Sequence, residues 1–177
     1  MKLLIYTSHR TGSTSLATFL GLHYNCEYIR RFHFDTNKSF SSYVNSCDSG
    51  IFKVCPEEQS YDEVNHLFDK TIVLVRDNIV QQAESRTFAK LNKKYFSHYT
   101  IPEGFFDNHR DELNAFIELI ETENKHFKSL SNCLYLSYEE LYYSKDGIDK
   151  MEKYLNTKFK FTLDNSKKYR DSIKTLI

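Results

Sequence analysis

Near the amino terminus the chain carries Arg10-Thr11-Gly12-Ser13-Thr14-Ser15, residue types suited to holding an anion. Arg10 offers a permanent charge and a fixed fork of N–H donors, and the hydroxyls of Ser13 and Thr14 add neutral donors. Gly12 lets a ligand approach the backbone where a Cβ would intrude. A second set lies further on: Arg76 closes an apolar run, and Ser85 follows it in the next segment. An arginine at the carboxyl end of a strand can chelate a pair of phosphate oxygens, and a serine on the adjoining helix supplies one more donor.

The elements that must position these groups follow from pattern. Leu3 to Tyr6 reads as a buried strand that runs into the hydroxyl-rich turn and then a helix with Leu16 and Leu20 on one face. That junction presents helix N–H groups and the positive end of the helix dipole. Gly21 to Asn25 reads as a stop and turn. Cys26 to Asp35 has no clean period and fits a short strand with its loop. Asn37 to Ser46 is polar and weakly helical, Gly50 to Pro56 a buried strand ended by proline, and Tyr61 to Phe68 a short helix. Thr71 to Arg76 is the clearest strand, continuous and β-branched as in a sheet covered on both faces. Asp77 or Asn78 can cap a long helix from about Ile79 to Phe96. A loop with Pro102, a helix from about Asn108 to Ser129, a strand at Cys133 to Ser137, the block Tyr138-Glu139-Glu140-Leu141 and a helix bearing Ile148, Met151 and Leu155 complete the order. Alternating strands and helices predict one α/β domain over residues 1–177, a mainly parallel sheet flanked by helices, with ligands beyond the strands' carboxyl ends.

Composition narrows the classes. In 177 residues, 24 basic side chains balance 24 acidic ones, so no global field favours nucleic acid or an anionic membrane. No apolar run approaches a membrane span and no signal-peptide layout is present, which predicts a cytoplasmic protein. Cys26, Cys47, Cys55 and Cys133 lack close pairs and read as free thiols, and no metal is expected. The Walker A order fails, because Thr7 stands five before Gly12 and Ser13, not lysine, follows it.

Taken together, Arg10-Thr11-Gly12-Ser13-Thr14, the strand Ile72 to Arg76 with Ser85 after it, and Tyr138-Glu139-Glu140-Leu141 resemble, in order, three blocks of the PAPS-dependent sulfotransferase family. The resemblance spans about Lys2 to Asn156 and implies a P-loop-like sulfotransferase fold and the donor 3′-phosphoadenosine 5′-phosphosulfate (PAPS), with no metal. It implies that Arg10, Thr11, Gly12, Ser13, Thr14 and Ser15 hold the 5′-phosphosulfate and that Arg76 and Ser85 hold the 3′-phosphate. The third block is expected to be mostly packing. Two family features are missing: Cys55 stands where the cytosolic branch has a catalytic His, and the Gly-rich basic carboxyl-terminal motif is absent, with Lys167, Lys168 and Arg170 as its only substitute. Glu27 matches the glutamate that carbohydrate and glycolipid branches place after the first helix. It is the first choice for general base, His33 the second, and Lys53 a helper at the sulfuryl group.

Two rivals remain open. A nucleotide or small-molecule kinase of P-loop type would share the strand-turn-helix, and an inactive nucleotide-binding recognition module would account for the missing His and short tail. The acceptor is a small molecule or glycan hydroxyl, with sugar, lipid and metabolite equally compatible.

Overall fold

Strand β1 (Lys2–Thr7) occupies the middle of a five-stranded sheet because nearly every residue in it is buried on both faces. Its neighbours are β3 (Gly50–Val54) and β4 (Lys70–Val75), with β2 (Tyr28–Ile29) and β5 (Leu134–Ser137) at the edges. Every pairing is parallel. The computed structural model describes residues 1–29, 39–92 and 101–159.

Helices cover both faces. Alternation along β1 sends Leu3 and Ile5 to one side and Leu4 and Tyr6 to the other. On the first side Leu3, Ile5, Ile51, Ile72 and Leu74 pack against α1 (Ser13–Tyr24), α7 (Tyr138–Tyr143) and α8 (Asp146–Leu155), through Leu16, Leu20, Leu141, Met151 and Leu155. On the second, Leu4, Tyr6, Phe52, Val73 and Val75 meet Phe40 and Val44 of α2 (Phe40–Ser46), Tyr61 of α3 (Tyr61–Val64) and Phe127 of α6 (Arg110–Ser129). The helix α4 (Ile79–Asn92) lies against α6, and a short α5 (Phe105–Asn108) precedes the latter. The result is an α/β domain with an all-parallel central sheet. No helix among the described residues is long and apolar enough to cross a membrane.

Strand order sets where a ligand can enter. From β1 the chain crosses toward β2 at one edge, and from β4 it crosses toward β5 at the other. The carboxyl ends of β1 and β4 therefore flank the crevice where the winding reverses, the usual ligand position in open parallel sheets.

The elements agree with the sequence pattern except at their ends. α1 continues through Gly21 and stops at Asn25, whose left-handed backbone (φ 50°) returns its N–H to Gly21 and Leu22. Asparagine tolerates that conformation, so a Gly was not needed to end the helix. Asn78, not Asp77, caps α4, its Oδ1 accepting from Gln81 N at 3.0 Å. The helix expected from about Asn108 to Ser129 runs from Arg110 to Ser129, and the short α5, which the pattern did not disclose, ends just before it at Asn108.

Candidate functional site

Between β1 and α1 the chain makes two left-handed steps, at Arg10 (φ 68°) and Gly12 (φ 78°). The turn is fixed from within. Thr7 Oγ1 donates to Leu74 O at 2.6 Å, tying the end of β1 to β4, and lies 2.6 Å from Thr11 Oγ1. Thr11 is thus wholly buried and its hydroxyl is spent inside the loop. Gly12 O takes the N–H groups of Ser15 and Leu16, which starts α1 and leaves the N–H groups of its first residues without an intrahelical acceptor.

Tyr138 and Tyr142 close the loop from below. A Cβ on Gly12 would stand 2.7 Å from the Tyr138 ring, and Tyr142 donates its hydroxyl to Gly12 O at 3.0 Å. Both tyrosines are held by a capping box at the start of α7, in which Ser137 Oγ accepts from Glu140 N and Glu140 accepts from Ser137 N, each at 3.1 Å. Between them Glu139 accepts from the N–H groups of Asp77 (2.8 Å) and Asn78 (3.3 Å). The Tyr138-Glu139-Glu140-Leu141 block, expected to be packing, is a buttress for both the Gly12 turn and the β4–α4 junction.

The arginines and Ser85 meet at this turn. Arg10 Nε donates to Ser85 Oγ at 2.7 Å across 75 residues of sequence. Arg76 donates to Arg10 O at 3.4 Å and to Gln81 Oε1 at 2.5 Å, lies 3.8 Å from Glu139, and stacks on Tyr138 with its Cζ 4.8 Å from the ring centre. Ser85 therefore faces Arg10 and not Arg76, with which it was expected to act. Gln82, fully buried, donates to Ser8 Oγ (2.6 Å) and His9 O (2.7 Å), holding α4 against the loop.

The proposed bases fare differently. Glu27 is exposed and immediately precedes β2, whose Tyr28 is level with Ile51 and, through β3, with Leu3. That is the amino edge of the sheet, some four to five strand residues or about 15 Å from the loop, so Glu27 is not brought to Arg10. His33, Lys167, Lys168 and Arg170 lie outside the described residues. Lys53 is level with Ile5, on the α1 side of the sheet, and its charge acts on His9 and Cys55.

Compared with known proteins, the chain matches no family model and no curated sequence.

Beside the turn, on the β3 side, stands a charged cluster that spacing alone did not disclose. His9 Nε2 lies 3.4 Å from Glu57 Oε2, and His9 Nδ1 lies 3.9 Å from Cys55 Sγ. Arg86 donates to Glu57 (2.9 Å) and to Glu123 (3.1 Å), and both Arg86 and Glu123 are 7 % exposed. Burial pushes the Cys55 thiol up to about 12. Burial likewise lowers His9, with Glu57 pulling it back, so the ring favours its neutral form. Glu123 is pushed up by burial against the pull of Arg86. The one sequence cue to these partners was Arg86 on the buried side of a helix, since an arginine there demands carboxylates.

Proposed function

We propose that the protein transfers a sulfuryl group from PAPS to a hydroxyl acceptor, on a P-loop-like sulfotransferase fold. The observation that supports this reading best is the Arg10–Ser85 hydrogen bond beside the left-handed Gly12 turn, because two blocks of the resemblance, far apart in sequence, meet at one crevice. Gly12 and the first N–H groups of α1 take the 5′-phosphate. Arg10 turns from Ser85 to the sulfuryl and bridging oxygens, and Ser85 is released to the 3′-phosphate beside Arg76. The acceptor oxygen bonds to sulfur as the bond from sulfur to the 5′-phosphate oxygen breaks, and Arg10 stabilises the charge that develops on the leaving phosphate. The acceptor proton passes to a general base, for which His33 stands as the candidate, and Lys53 assists at the sulfuryl group.

Calorimetric titration with 3′-phosphoadenosine 5′-phosphate, AMP and ATP, with and without Mg²⁺, tests the reading. Micromolar, Mg²⁺-independent binding of the bisphosphate that AMP does not reproduce is expected, and Ser85→Ala should weaken the bisphosphate more than AMP. Arg10→Ala should cut turnover by at least about a hundredfold while leaving the fold intact. A Mg²⁺-dependent preference for ATP would replace this reading with the kinase one.

A further inference from the structure

We infer that His9, Cys55 and Glu57 form a binding site for a divalent transition-metal ion of borderline softness, zinc above all. One ring nitrogen of His9, the Cys55 sulfur and a Glu57 carboxylate oxygen all lie within 4.8 Å of one another. His9 lies 3.4 Å from Glu57 Oε2 through Nε2 and 3.9 Å from Cys55 Sγ through Nδ1, each near the length of a zinc tetrahedron's edge but measured from opposite ring nitrogens. Bonds of about 2.0–2.3 Å at tetrahedral angles place nitrogen, sulfur and oxygen ligands about 3.3–3.6 Å apart. His9 is 48 % exposed, so its ring can turn to give a single nitrogen to both partners. Nitrogen, thiolate and carboxylate together suit zinc or cobalt and disfavour magnesium and calcium, which take oxygen.

Support from behind the ligands is in place. Glu57 gives its other oxygen to Arg86, and Arg86 is anchored on buried Glu123, so the carboxylate is aimed before any ion arrives. Charge is also accommodated. The groups acting on His9 and Cys55 are Glu57, Glu58, Glu123, Lys53 and Arg86, which leaves one negative charge in excess. A dication that displaces the Cys55 proton to solvent, forming the metal–sulfur bond, brings the cluster to neutrality. Cys55 is buried while His9 and Glu57 are about half exposed, so the ion enters over the latter two and its remaining position faces water.

The test is titration of the chelator-treated protein with Co²⁺, read by the thiolate-to-cobalt charge-transfer band and by the intense visible absorption of tetrahedral cobalt. One equivalent with both signals, displaced by Zn²⁺, is expected. Cys55→Ser should abolish the charge-transfer band, and His9→Ala and Glu57→Gln, at half-exposed positions, should each weaken binding at least about tenfold. No band in the wild-type protein overturns the site. A band that survives Cys55→Ser, which assigns it to Cys26, Cys47 or Cys133, overturns it equally, as does an affinity unmoved by His9→Ala. Nucleotide titration in chelator separates this outcome from that of the sulfuryl-transfer reading.

Discussion

The loop after β1 is held differently on its two sides. Toward β4 and α7 it rests on shape: the Tyr138 ring fills the space a Cβ would need at Gly12, and Tyr142 satisfies the Gly12 carbonyl. Toward β3 and α4 it rests on charge, with Arg86 buried between Glu57 and Glu123 next to His9. Packing of the first kind tolerates no added atom but little depends on ionisation. The second tolerates changes of shape, yet removing one charge strands another in a low-dielectric setting.

The largest expected effect is on the charged side. Arg86→Leu leaves Glu123 buried without its partner and should cost about 3–5 kcal/mol in urea unfolding. Combining it with Glu123→Leu should restore most of that, because the pair removed together leaves no buried charge. If the double variant is as unstable as the single one, Arg86 acts through its packing over the Phe116 ring, 5.0 Å from its Cζ, and the contrast between the two sides fails.

On the other side Gly12→Ala should cost about 1–3 kcal/mol and abolish bisphosphate binding, since the new Cβ meets Tyr138 at 2.7 Å on a left-handed backbone. In a Tyr138→Ala background the 2.7 Å contact is gone, and the left-handed strain, about 1–2 kcal/mol, remains with a 3.2 Å contact to the Tyr142 ring. A penalty for Gly12→Ala that is the same in both backgrounds would show that the Tyr138 ring contributes nothing, and that φ and Tyr142 dictate glycine here.

What could be read from the sequence divides along the same line. The sheet was legible because β1 and β4 are unbroken apolar runs, and their burial on both faces follows from composition alone. The Arg10 to Ser15 turn was legible because its residues are contiguous. The cluster was not, because His9, Cys55, Glu57, Arg86 and Glu123 come from four separate segments whose approach depends on the strand order β3-β1-β4. Glu27 misled for a related reason: its distance along the chain from α1 suits a site residue, but parallel register with β3 assigns it to the opposite edge of the sheet. The Ser137 to Glu140 capping box carried a visible Ser-x-x-Glu signature, and following it to the helix it starts would have shown Tyr138 and Tyr142 on one face of that helix, one turn apart.

The smallest expected effect concerns that same capping box, where the packed side also depends on ionisation. Glu140 is held below the usual carboxylate range, first by its hydrogen bond with Lys150 and then by the Ser137 N–H it accepts. A carboxylate whose folded pKa is depressed contributes stability that is present above the unfolded value, about 4.3 for Glu, and is lost as pH falls through the folded value. Glu140→Gln keeps an acceptor for Ser137 N, so the cap survives, but it carries no proton equilibrium and no charge for Lys150. The urea midpoint of this variant should therefore lie slightly below the wild type near neutrality and fall less steeply on acidification, the two curves converging in acid. Lys150 is at the surface and solvent screens the pair, so the difference is small. Curves that run parallel throughout would mean that the Lys150 contact adds nothing, and that the tyrosines under Gly12 are held by packing and the neutral cap alone.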